Sequence, residues 1–239
     1  AASDVYKRQG TPDGAWVMEG VANASGSAFK WFKEEFCNSA NETAIGLKES
    51  VYDMLTRIAD RSSRAGANGL FFLPYLAGAV TPNQNPNARG TYIGMTVGHT
   101  KTDFVRATME GVCFDIKDML EAMIEGGAAP FDTVRLTGGI FRSEVWCQMQ
   151  ADIFNRTCEV VAVEEATSLG CAMIAAVGAG IYKDLEEAEK HMVKIKKIYE
   201  PIPENAAIYE DAFKVWRQIY KNLAIDAYDM IAEFQEKHR

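Results

Sequence analysis

The sequence predicts an α/β layered domain, and three observations carry that prediction. Between Thr133 and Ala179, β-rich runs alternate with helical ones in the order strand, helix, strand, helix. Upstream, Leu70 to Leu76 is a continuous apolar run that suits a buried strand ending at the proline, Pro74. Between these two regions, Val105, Met109, Val112, Ile116, Met119 and Met123 recur at spacings of four and three, the mark of a long amphipathic helix.

Taken in order, Ala15 to Val21 mixes aromatic and β-branched residues and reads as a strand. The small-residue turn Asn23 to Ser27 leads into a helix from Ala28 to Phe36, an arrangement that suits an anion at the helix start or an ordinary tight connection. Asn41 to Arg64 reads as one helix with Leu47, Val51, Met54, Leu55 and Ile58 on one face. The loop from Thr81 to Gly90 is too rich in Asn and Pro for regular structure, and its length marks it as functional or mobile. The helix from Thr102 ends at Gly126-Gly127. Thr133 to Thr137 is a short strand, Gly138-Gly139 a turn, Ser143 the start of a helix, and Cys158 to Val163 a strand. Thr167 is expected to cap a helix whose small residues permit close approach to a sheet. Tyr209, Phe213, Trp216, Tyr220, Leu223, Ala227, Met230 and Phe234 form a stripe on a terminal helix from Ala206 to Glu236, read as closing the domain or as a partner-binding seam.

Composition excludes several functions. The chain has 239 residues, and 25 Lys plus Arg against 33 Asp plus Glu give a net charge of −8, with no basic block to neutralise phosphates, so nucleic acid is not an expected partner. No apolar stretch approaches the roughly 20 residues needed to span a bilayer, so no membrane role is expected. Five scattered cysteines without a C-x-x-C pair favour a reducing, cytoplasmic setting with the thiols as small buried apolar groups. The opening residues AASDVYKRQG lack an apolar signal core, and residues 1–9 read as a frayed or non-native segment ahead of a domain covering 10–239.

By residue chemistry the strongest site candidate is Leu136 to Ser143, where Gly138 and Gly139 follow a strand and precede a helix start. Neither G-x-G-x-x-G nor G-x-x-x-x-G-K-[ST] occurs. His99, His191 and His238 fit no metal spacing, Glu164-Glu165 suits the electrostatics of a helix N-terminus, and Asp103 and Asp115 read as solvated acids on a long helix. Residue chemistry alone supplies no catalytic group.

Three blocks add a resemblance: FFLPYLAGAVTPNQNPNARG from Phe71, GTYIGMTVGHTKTDFVRATME from Gly90, and LTGGIFRSEVWCQMQADIF from Leu136 followed by EEATSLGCAMIAAVGAG. From Gly69 to about Leu223 the chain resembles the C-terminal domain of the FGGY family of carbohydrate kinases, xylulokinase-like members in particular. The middle block matches the family signature at Gly90, Tyr92, Gly94, Met95, Asp103, Phe104, Ala107, Thr108, Met109 and Glu110; EGVANASGSAFKWF matches more loosely. The resemblance implies an actin-like, ribonuclease-H-like domain that holds ATP, used with Mg2+, in a kinase about twice as long. It places Gly138 and Gly139 against the adenosine, Ser143 at the adjoining helix start, and Gly26 with Lys30 on the nucleotide from the first helix. Lys30 departs from relatives with an uncharged residue there, and Ala79-Val80 departs from the usual Glu-Arg, leaving room for sugars related to xylulose. The catalytic and metal-binding aspartates are implied in an N-terminal sugar-binding domain, a partner not contained in this chain, so the chain alone is expected to be inactive. The alternative is a non-catalytic interaction module on an actin-like scaffold, and oligomeric state, a homodimer included, is open.

Overall fold

The computed structural model describes residues 7–10, 14 and 16–238. Its first pairing is a hairpin in which β1 (Lys7–Gly10) runs antiparallel to β2 (Trp16–Glu19), with Lys7 opposite Glu19 and Gly10 opposite Trp16. Lys7 to Gln9, expected in a frayed or non-native segment, are therefore paired, whereas residues 1–6 of that segment lie outside the described residues.

Three helices follow: α1 (Gly26–Phe36), α2 (Asn38–Leu47) and α3 (Val51–Ser62). The single helix expected over 41–64 is broken because Lys48 adopts a left-handed conformation and the Ser50 side chain caps the start of α3 by accepting from the Tyr52 N–H. The break also turns Leu47, expected on the buried face, out to solvent.

The apolar run after the Gly-rich break forms β3 (Phe71–Leu73), narrower than expected, antiparallel to β4 (Thr91–Ile93), which periodicity does not foretell in three residues. Phe72 faces Tyr92, their rings stacked with centroids 4.4 Å apart. The loop between them is tied down at several points: Ala79 and Asn85 exchange both backbone hydrogen bonds, and Asn87 donates to Asp229.

Helix α4 (Lys101–Glu125) crosses behind β3 so closely that a Cβ added to Gly111 would lie 2.2 Å from the Phe72 carbonyl oxygen. Asp103 and Asp115, expected to be solvated, are buried on this helix. Asp103 closes the N-terminus, accepting from the Thr100 N–H at 2.7 Å and from Ser63 and Asn68 at 2.7 Å each. Burial pushes its pKa up, but these hydrogen bonds together outweigh burial and hold it down at about 2. Asp115 has no such set of donors; burial, then the neighbouring Asp118 charge, raises its pKa to about 7.

The expected strand-helix-strand unit is present as β5 (Thr133–Leu136), α5 (Glu144–Phe154) and β6 (Thr157–Val161), with β5 and β6 parallel and Thr133 opposite Thr157. A third strand, β7 (Ile195–Tyr199), not foreseen, adds antiparallel to β6 with an irregularity at Val160/Val161. Between β6 and β7 lie α6 (Ala166–Gly178) and α7 (Leu185–Met192), the latter also unforeseen. Thr167 lies inside α6 rather than capping it, and no residue of α6 is buried, so its small residues do not seat it on the sheet. Cys171 is accordingly exposed, unlike the other four cysteines.

The terminal helix is two helices, α8 (Pro203–Leu223) and α9 (Ala227–Lys237), separated at Ala224 to Asp226. Tyr209, Phe213, Trp216 and Tyr220 are buried, so the aromatic half of the stripe closes the domain and is closed to a partner. Trp216 donates its indole N–H to the Phe72 carbonyl at 2.8 Å, fastening α8 to β3. Beyond the break, Met230 and Phe234 are exposed. No helix of the described residues is long and apolar enough to cross a membrane.

Candidate functional site

A cleft of about 560 Å3 opens where the start of α1, the start of α3 and the turn Gly139–Arg142 before α5 converge. Each wall has a sequence-level cause. Gly26 is the first residue of α1, and a Cβ there would come within 2.9 Å of the Ile140 side chain, so glycine lets the turn draw close. Gly138 has φ +104°, a conformation that favours glycine, and it swings the chain from β5 into the turn. Gly139 has open space around the position of a Cβ. Ser143 caps α5, its hydroxyl accepting from the Trp146 N–H.

Of the five residues the sequence singles out, Gly26, Lys30, Gly139 and Ser143 line this one cleft, although they come from segments more than 100 positions apart. Gly138 stands behind it, on a smaller hollow shared with Arg142, Glu164 and Lys196. Lys30 lies at the rim, exposed, with Glu34 at 4.0 Å.

The remaining lining was not singled out: Phe29, Tyr52 and Trp146 form the apolar wall, with Phe29 edge-on to Trp146 at 4.9 Å between centroids and 5.9 Å from Tyr52. The floor is polar. Ser143 Oγ donates to Thr56 Oγ1 at 3.1 Å, and Thr56 in turn donates to the Asp53 carbonyl at 3.2 Å; both residues are buried. The one usable signal for these side chains is that Tyr52 and Thr56 are four apart, hence on one face of α3, but that face is legible only once the helix is broken at Lys48.

Arg142 at the mouth makes a two-pronged ion pair with Glu164, its Nε donating at 3.0 Å. The hydrogen bond from Arg142 lowers the Glu164 pKa, so this acid answers the arginine in addition to standing near the start of α6. No His or Cys lines the cleft, and Asp53 is its one carboxylate among the described residues. The arrangement suits binding: an apolar wall for a ring, hydroxyls at its base, and cations at its mouth for an anionic tail. Among the described residues no group of three or more His, Cys, Asp or Glu could hold a metal ion.

The model of the FGGY family of carbohydrate kinases, C-terminal domain, matches residues 4–179. A xylulose kinase from Staphylococcus epidermidis is 37% identical over 210 residues, 88% of this chain and 40% of that protein. A gluconokinase from Bacillus subtilis is 35% identical over 223 residues, 93% of this chain and 43% of its own length. Among solved structures, a ligand-bound xylulose kinase from Lactobacillus acidophilus superposes with a TM-score of 0.82 at 28% identity, over 95% of this chain and 44% of that one. The chain thus spans about 40% of the length of the curated relatives it matches.

Proposed function

Because this chain belongs to the FGGY family of carbohydrate kinases and has its actin-like fold, we propose that it is the nucleotide-binding half of an ATP-dependent sugar kinase, transferring the γ-phosphoryl to a hydroxyl of a pentulose or related sugar. The observation that carries this reading is the convergence of Gly26, Lys30, Gly139 and Ser143 on one apolar, hydroxyl-floored cleft. In this reading Phe29, Tyr52 and Trp146 flank the base, Gly139 leaves room for the adenosine, and Lys30 with Arg142 draws the phosphates toward the mouth. Bound ATP supplies the phosphoryl group; this chain's task is to orient it, which matters because phosphoryl transfer depends mainly on positioning and charge neutralisation. The base that takes the sugar's proton and the seat of Mg2+ belong in this proposal to a sugar-binding partner domain, since Asp53 alone lines the cleft as an acid among the described residues. Relatives named for xylulose and gluconate support the sugar class in this reading, with Ala79-Val80 a departure that leaves room for sugars related to xylulose.

Gly139→Trp tests the assignment, because Gly139 lines the cleft and a Cβ there meets no atom within 4 Å. In calorimetric titration with Mg-ATP the wild-type chain binds and the variant loses more than about tenfold in affinity, roughly 1.4 kcal/mol. Equal affinities overturn the adenosine-site assignment.

A further inference from the structure

Resting on the reading of the cleft as a nucleotide site, we propose that Thr56 sets which purine the cleft accepts, by fixing the polarity of the Ser143 hydroxyl. A hydroxyl has one proton to give and two lone pairs to offer. Thr56 gives its proton to the Asp53 carbonyl, one turn back on α3, leaving its oxygen as an acceptor. Ser143 gives its proton to that oxygen, and one of its own lone pairs takes the Trp146 N–H. Both protons are committed within the floor, and what the pair presents to a ligand is lone pairs alone.

A purine with an amino group at position 6 donates into such a floor. A purine with a 6-oxo group seated in the same way sets an acceptor at position 6 against acceptors, and those lone pairs lose their donor. The aromatic wall of Phe29, Tyr52 and Trp146 does not distinguish the two, since every base presents a stacking face. Discrimination between them therefore falls to the hydroxyl pair. Thr56 is a positioning residue here, acting through Ser143.

The test compares ATP with ITP, which carries a 6-oxo group in place of the 6-amino group and a proton on N1, by calorimetric titration of the 239-residue chain in Mg2+ buffer. The wild type is expected to favour ATP by roughly tenfold or more. Thr56→Val frees the Ser143 proton to turn toward the cleft, and the ratio drops to about twofold or less, whereas Thr56→Ser restores it. A merely structural role for Thr56 weakens both nucleotides alike and leaves the ratio where it was. Should Thr56→Val not fold, Ser143→Ala serves: it is expected to weaken ATP and spare ITP. Equal wild-type affinities, or an unchanged ratio in a folded variant, overturn the proposal while nucleotide binding stands. Failure of the wild type to bind either nucleotide overturns the reading of the cleft itself.

Discussion

Arg106 and Glu110 lie one helical turn apart inside the domain, with Arg106 Nε donating to Glu110 Oε1 at 2.8 Å and both side chains buried. Tyr209 completes a triangle, its hydroxyl accepting from Arg106 and donating to Glu110 at 2.8 Å each, and the Gly66 N–H adds a bond at 3.0 Å. The pair joins α4 to α8 and to the turn after α3. Glu110→Ala leaves the guanidinium buried without its carboxylate and is expected to cost about 3–5 kcal/mol by urea unfolding. Replacing both, as Arg106→Met with Glu110→Leu, is expected to cost less than Glu110→Ala alone; a double variant as unstable as the sum of its singles contradicts this account.

Asp115 makes the folded state less stable as pH rises toward neutrality. Burial and Asp118 raise its pKa from 3.8 to about 7, so in the folded chain it holds a proton that the unfolded chain has released. The folded state binds more protons across that window, and Asp115's contribution to stability falls as pH rises from about 4 to 7. Asp115→Asn removes the charge, so the variant is expected to match the wild type near pH 4 and exceed it at pH 8 by an amount on the order of a few kcal/mol. Urea midpoints measured at both pH values decide it.

Asp103 has the opposite sign. Its hydrogen bonds outweigh burial and set its folded pKa at about 2, below the ordinary 3.8. Its contribution is complete above pH 4 and lost as pH falls through 2. Asp103→Ala is expected to lower stability at pH 7 by roughly 2–3 kcal/mol, with the gap to the wild type narrowing in acid. A constant gap from pH 7 to pH 2 argues against the carboxylate as the source.

Two glycines are expected to respond in opposite ways to one added methyl group. Gly111→Ala drives a Cβ to 2.2 Å from the Phe72 carbonyl, where a backbone strand cannot easily yield, and is expected to cost about 1–3 kcal/mol or more. Gly139→Ala meets nothing within 4 Å and is expected to stay within about 0.5 kcal/mol of the wild type. Thermal unfolding of the two variants side by side checks the contrast.

What the sequence discloses depends on how locally each feature is encoded. Helix α4 and the β5-α5-β6 unit are legible because their apolar spacing and turn residues are local signals. The break at Lys48 is not legible because apolar spacing persists across it, nor are Tyr52 and Thr56, whose place in the cleft depends on α3 meeting α5. Asp103 and Asp115 were misread because helical position says nothing of what packs against it; Ser63 and Tyr75 reach them from other elements. Gly139 and Ser143 are legible as part of a glycine turn before a helix, and Gly26 and Lys30 through resemblance, but the cleft the four share exists only in the folded chain.

Ser143 both starts α5 and floors the cleft with the same oxygen. A substitution at Ser143 therefore changes the helix start and the floor of the cleft together, through a single atom. Thr56 touches the same oxygen from the other side, so a change at Thr56 alters the floor while the Ser143 cap of α5 stays in place.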